Sequence, residues 1–235
     1  MDYTFQFDHP FEEYFLKNEN GHTINALYFK THQKSKGVVL YLHGNADNLQ
    51  RWASYHQDFT KRGFDILFID YEGYGKSEGT PTEASLYSNA RIAYDRLKRI
   101  YDPEDIVILG RSLGAAAATD LAKKVPCRFL VLETPFNSIQ GAIASNLPFQ
   151  YLPFDINMDM RNDQNIPLIK CPIYIFHGTQ DLIIPYRCAA QLKPLIKSTD
   201  EFITIPNGGH KNLSEFDLYQ QKMDQIFGKK IVKTH

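Results

Sequence analysis

The chain has 235 residues, enough to bury a sizeable core, and its 13% aromatic content suits a packed globule better than a disordered segment. Its 26 Lys and Arg nearly cancel its 27 Asp and Glu, and no long run of one sign occurs. A nucleic-acid partner or an anionic membrane surface therefore has no electrostatic footprint here.

Residues 1–8 carry neither the basic nor the apolar stretch of a secretory leader, and no apolar run reaches the ~18 residues that cross a bilayer. The expectation is a cytoplasmic protein with no stable membrane anchor. Three cysteines, Cys127, Cys171 and Cys188, lack the spacing of a disulfide framework or a zinc site and read as free thiols.

Residues 13–17 and 23–29 alternate polar and apolar around Gly21 and His22, which predicts an N-terminal hairpin. After a basic loop from Lys30 to Lys36, Val38–Leu42 reads as a buried strand running into His43-Gly44-Asn45-Ala46-Asp47-Asn48. Asp47 or Asn48 can cap a following helix, where Leu49, Trp52, Tyr55 and Phe59 recur at helical spacing until Gly63. Phe64–Ile69 is the next strand, ending at Asp70. Gly73, Gly75 and Gly79 then mark a loop, and Pro81 and Thr82 open a helix bearing Leu86, Ala90, Ala93, Tyr94 and Leu97.

Asp105–Leu109 has the length and β-branching of a buried strand. It feeds Gly110-Arg111-Ser112-Leu113-Gly114, and Ala115–Ala118 with Leu121 and Ala122 continue as a helix. A G-x-S-x-G between strand and helix is the nucleophile-elbow pattern: a tight turn aims the hydroxyl out of the sheet, and glycines on either side keep Cβ atoms clear. Further strands follow at 129–132, 173–176 and 202–205, with a closing amphipathic helix at 217–227. Strands alternating with helices predict an α/β fold in one domain over 1–235, with a mostly parallel sheet and helices on both faces. The proline-rich stretch 134–170 is expected to form a short lid-like insertion after the sixth strand.

Serine is a weak nucleophile at neutral pH and needs a base held by a carboxylate. Asp181 lies just beyond strand 173–176, in His177-Gly178-Thr179-Gln180-Asp181, and His210 just beyond strand 202–205, in Gly208-Gly209-His210. Loops at strand C-termini line the crevice of an open α/β sheet. The assignment is Ser112 as nucleophile, His210 as general base and acid, and Asp181 as its orienter. Gly208 and Gly209 are expected to give the backbone freedom to bring the imidazole to the serine. The backbone N–H groups of Leu113 and Asn45 are the expected oxyanion donors, with Ala46 as the alternative to Asn45. His43 and His177 also precede glycines at strand ends and are expected to satisfy loop carbonyls. Leu147, Phe149, Tyr151, Leu152 and Phe154 in the insertion offer apolar surface for an acyl chain.

Together the segments 43–46, 71–79, 110–114, 177–181 and 208–210 resemble the α/β-hydrolase superfamily over roughly residues 20–228. The likeness is to its small, lightly lidded serine-hydrolase branch, with the abhydrolase-type protein depalmitoylases and the serine aminopeptidase-like hydrolases. The resemblance implies an α/β-hydrolase fold, an esterase or thioesterase acting on a small-molecule or acylated substrate, and no metal or other cofactor. Glu72 stands where relatives usually have arginine, so no ion pair is inferred there. The depalmitoylases have a cysteine-rich lipidated N-terminus, whereas the first cysteine here is Cys127, so membrane anchoring does not carry over.

Other readings are weaker. Gly75-Lys76-Ser77 suggests a phosphate loop, but Asp70 occupies the position of that motif's first glycine and would repel phosphate. No histidines show the H-E-x-x-H spacing of metal-dependent hydrolysis. A non-catalytic binder on the same scaffold commonly loses one of the three residues, and all three are present here. A serine aminopeptidase-like amidase is the main alternative within enzymes, because Asp155, Asp159 and Asp163 could meet a substrate amine.

Overall fold

The computed structural model describes residues 3–145 and 158–229. Among them, eight strands form one sheet in the order β1-β2-β4-β3-β5-β6-β7-β8. The strands are β1 (Phe11–Lys17), β2 (Thr23–Phe29), β3 (Val38–Leu42), β4 (Asp65–Ile69), β5 (Ile106–Arg111), β6 (Phe129–Glu133), β7 (Ile173–Gly178) and β8 (Glu201–Ile205). The hairpin β1-β2 and the β2-β4 pair are antiparallel, and every other pair is parallel. This is the expected architecture.

The central strands read as unbroken apolar runs because both of their faces are covered. Alternate residues of β3 serve opposite sides: Val38, Leu40 and Leu42 join one buried cluster, and Val39 and Tyr41 the other. The first cluster is closed by α3 (Glu83–Leu97), α4 (Leu113–Ala122), α5 (Ile139–Ala144) and α7 (Tyr186–Ala190). The second is closed by α1 (Leu49–Trp52), α2 (His56–Thr60) and α8 (Asp217–Phe227), with Phe59, Tyr219, Met223 and Phe227 against the sheet.

Local signals act where the sequence places them. Asn48 caps α1, its side chain accepting from the Gln50 N–H. Thr82 and Ser85 form a reciprocal capping box on α3. The spacing predicts one helix over 49–59, but the structure breaks it into α1, a 3-10 turn at Ala53–Tyr55 and α2. The Ser54 hydroxyl bonds the Arg51 carbonyl at 2.6 Å, one of the side-chain bonds that compete with the helical ladder.

After β6 the chain enters α5, whose cap Ser138 accepts from Gly141 N–H. It returns through α6 (Asn162–Asn165), and an isolated bridge between Ser138 and Arg161 joins the two limbs. Leu147, Phe149, Tyr151, Leu152, Phe154 and Asp155 lie outside the described residues.

Glu72, where the sequence supports no inference of an ion pair, has contacts of its own. It is buried, its Oε2 lies 3.1 Å from His22 Nδ1, and Asn18 donates to its other oxygen. With His22 protonated this is an ion pair, made by a residue 50 positions away. Two of the free thiols also meet: Cys127 and Cys171 precede the neighbouring strands β6 and β7, and their Sγ atoms are 2.8 Å apart.

Candidate active site

Strand β5 runs through Arg111, so Ser112 is the first residue beyond it and Leu113 the first of α4. Ser112 has φ 52° and ψ −115°, left-handed backbone for a residue with a Cβ. The turn is anchored by Ser112 N–H donating to the Glu133 carbonyl at 2.9 Å. The motif's two glycines are required by close approach. A Cβ on Gly110 would sit 2.5 Å from the Ala118 Cβ, and one on Gly114 would sit 2.0 Å from the Leu42 carbonyl oxygen. The alanines of α4 let the helix press onto the sheet at this contact.

Three side chains that are distant in sequence meet at the C-terminal edge of the sheet. His210 Nε2 is 3.1 Å from Ser112 Oγ, and His210 Nδ1 is 2.8 Å from Asp181 Oδ2. The other Asp181 oxygen accepts from the N–H groups of Ile183 and Ile184 at 2.9 and 2.8 Å, which fixes the carboxylate's orientation. Neither Gly208 nor Gly209 takes a left-handed φ; Asn207 does, at 61°. The closest approach is at the facing strand end: a Cβ on Gly178 would lie 2.1 Å from the Gly208 carbonyl oxygen, whereas one on Gly208 would be 3.0 Å from side-chain carbons of Ile205 and Leu213.

His43 and His177 each meet the carbonyl of the following glycine, at 2.7 and 3.1 Å through Nδ1. Each also faces a buried carboxylate. His43 Nε2 is 3.3 Å from Asp70 and His177 Nε2 is 3.7 Å from Asp181. Burial pushes the His177 pKa below its ordinary value, against the pull of Asp181. Asp70 is itself enclosed: Gly75, at φ 51°, packs so closely that a Cβ would be 1.9 Å from its Oδ2.

The loop after β3 is held by its own side chains. Asn45 Oδ1 accepts from Tyr74 OH at 2.7 Å and from Ala46 N–H at 2.8 Å, and Trp52 Nε1 donates to the Ala46 carbonyl. The Ala46 N–H is thus engaged, whereas Leu113 N–H, at the first turn of α4, has no intrahelical acceptor. Asn45 and Leu113 both line a cavity of about 100 Å³ over Ser112. Among the described residues its walls include Trp52, Phe136, Ile139, Ile183 and Ile184, with Arg51, Arg111 and Lys211 and no carboxylate. The sequence reading does not assign these residues to the site. Arg111 was visible inside the elbow motif and Ile183 and Ile184 just after Asp181, but their convergence was not. Asp163, a candidate for amine recognition, is held by Arg161 at 2.8 Å, and Asp159 lies 3.8 Å from the same guanidinium. Among the described residues no group of three or more His, Cys, Asp or Glu is placed to hold a metal, and no helix is long and apolar enough to cross a membrane.

A family model described as serine aminopeptidase, S33, matches residues 33–154, more than half of the chain. The chain belongs to this family of α/β-hydrolases. The matched segment of the S33 family contains Asn45 and Ser112 but ends before Asp181 and His210, which only the folded geometry brings in. A zebrafish (Danio rerio) relative, lysophosphatidylserine lipase ABHD12, is 30% identical over 204 residues, which are 78% of this chain and 52% of the relative. The chain therefore spans about half the length of that protein. Human α/β hydrolase domain-containing protein 17B is 27% identical over 224 residues, covering 94% of this chain and 76% of its own. The Pyrococcus furiosus esterase Pf2001 superposes with a TM-score of 0.77 at 17% identity, covering 94% of this chain and 90% of its own. An α/β hydrolase from Vibrio vulnificus gives 0.75 at 25% identity, covering 93% and 80%. These likenesses establish the fold.

Proposed function

We propose that the protein is a serine hydrolase of carboxylic esters or thioesters that works through an acyl-enzyme on Ser112. The observation that carries this reading is the hydrogen-bonded line from Ser112 Oγ to His210 Nε2 (3.1 Å) and from His210 Nδ1 to Asp181 Oδ2 (2.8 Å) beneath a mainly apolar cavity. An ionised Asp181 keeps the proton on Nδ1, so Nε2 accepts from the serine hydroxyl. Ser112 Oγ attacks the acyl carbonyl as its proton passes to His210. The N–H groups of Leu113 and Asn45 hold the tetrahedral oxyanion, helped by the N-terminal end of α4. Collapse breaks the bond to the alcohol or thiol, which leaves with the proton from His210. Water, deprotonated by the same imidazole, then attacks the acyl-enzyme and frees the acid and Ser112.

The family description favours a second reading, an aminopeptidase-like amidase. A substrate ammonium needs a carboxylate, yet among the described residues the cavity's charged lining residues are cations, and Asp159 and Asp163 face Arg161. A neutral or anionic substrate suits this lining better, in line with the zebrafish relative named as a lysophosphatidylserine lipase.

Hydrolysis of p-nitrophenyl acetate and butyrate, acyl thioesters and peptide p-nitroanilides, with fluorophosphonate labelling alongside, tests both readings. Ester and thioester turnover with labelling at Ser112, both lost in Ser112→Ala, is the expected result. Near wild-type turnover by a folded Ser112→Ala overturns the mechanism, and preferential cleavage of the anilides favours the amidase.

A further inference from the structure

We infer that Arg111, the residue before Ser112, is a positioning residue that ties the nucleophile's strand to the loop carrying His210. The inference rests on the serine-hydrolase reading of the site. Arg111 ends β5 and pairs in register with Glu133 at the end of β6. Its side chain is only 6% exposed, and its guanidinium lies 5.0 and 5.6 Å from the ring centroids of Tyr55 and Trp52.

The direction of its hydrogen bonds carries the argument. A guanidinium buried for packing alone would be expected to turn its fork onto the adjacent carboxylate. Here Nη1 is 3.8 Å from Glu133 Oε2, beyond hydrogen-bond reach, and the other Glu133 oxygen accepts from Tyr219 OH. Nη2 instead donates to two consecutive carbonyls, those of His210 (3.2 Å) and Lys211 (2.9 Å), across some hundred residues of sequence.

Two constraints then fix the imidazole. Asp181 sets the ring's rotation through Nδ1, and Arg111 sets the backbone from which the ring projects. Because the guanidinium is borne one residue from Ser112, any shift of the elbow carries the base loop with it. Both bonds leave the one nitrogen Nη2, which the planar guanidinium holds in place against the Tyr55 and Trp52 rings; a lysine ammonium has the donors but sits on a shorter, flexible stem without that planar anchor. Misplacing a reacting pair by about 1 Å can cost about 10²-fold in rate.

The test uses two variants. Arg111→Met combined with Glu133→Gln removes both buried charges together, and Arg111→Lys keeps the charge but not the planar group held against Tyr55 and Trp52. The expected result in each is a kcat and a fluorophosphonate labelling rate lowered about 10²-fold, with KM within about twofold and melting intact. A folded double variant with kcat within about threefold of wild type overturns the inference, as does a loss carried by KM. Full activity in Arg111→Lys overturns it too, since the ring-held planar group would then not be needed, and this variant decides if the double variant does not fold. Wild-type protein that is neither labelled nor active overturns the serine-hydrolase reading and this inference with it. A labelled wild type with unaffected variants overturns this inference alone.

Discussion

Ser112 sits at φ 52° and ψ −115°, and this backbone makes a prediction that needs no substrate. Holding a residue with a Cβ there costs about 1–3 kcal/mol, whereas glycine adopts it freely. Ser112→Ala keeps the Cβ and loses the 3.1 Å bond to His210 Nε2, worth about 0.5–1.5 kcal/mol. Ser112→Gly loses the same bond and relieves the strain, against about 0.4–1 kcal/mol of extra unfolded-state entropy. The glycine variant should therefore exceed the alanine variant by about 1 kcal/mol, or about 2–4 °C in Tm for a chain of this size. Urea unfolding and calorimetry of the two variants, side by side, measure the difference. Alanine is the more stabilising residue at most positions, so the sign itself is diagnostic. An alanine variant as stable as the glycine variant, or more so, refutes a strained elbow.

Asp181→Asn should lower kcat by about 10³–10⁴-fold. The Ile183 and Ile184 N–H groups will hold the amide oxygen, turning its NH₂ toward His210 Nδ1 and forcing the wrong tautomer. Ester hydrolysis reads this out, and a loss under tenfold contradicts it. Buried His56, stacked 4.5 Å from Phe29, has its pKa pushed down by burial. The unfolded chain then takes up a proton near pH 6.5 that the folded state refuses, so the stability present above that pH falls as the pH drops below it. His177 acts with the same sign; burial raises the Glu133 pKa, which works in the opposite sense. Urea midpoints between pH 7.5 and 5.5 should slope less in His56→Phe than in wild type, and an unchanged slope counts against the assignment. The hydrogen bond to Cys171, with burial, pushes the Cys127 thiol well above its ordinary pKa. Iodoacetamide at pH 8 should modify Cys127 at under about a tenth of the rate of a peptide thiol; equal rates by mass spectrometry argue against it.

What could be read from the chain follows short-range chemistry. The buried strands announced themselves as apolar runs, Thr82 as a helix cap, and the elbow by glycines whose Cβ atoms would strike Ala118 and Leu42. Asp181 and His210 were legible because each directly follows a strand in a parallel sheet, where strand ends converge. Folding alone decided the rest. It brought His22 to Glu72, Cys127 to Cys171, and the Arg111 guanidinium to the carbonyls of His210 and Lys211. It also placed the strict need for glycine at Gly178, at the end of β7, where a Cβ would strike the Gly208 carbonyl of the His210 loop. A sequence pattern records what each residue needs from its near neighbours; which distant groups then come within about 3 Å is set by sheet order and register.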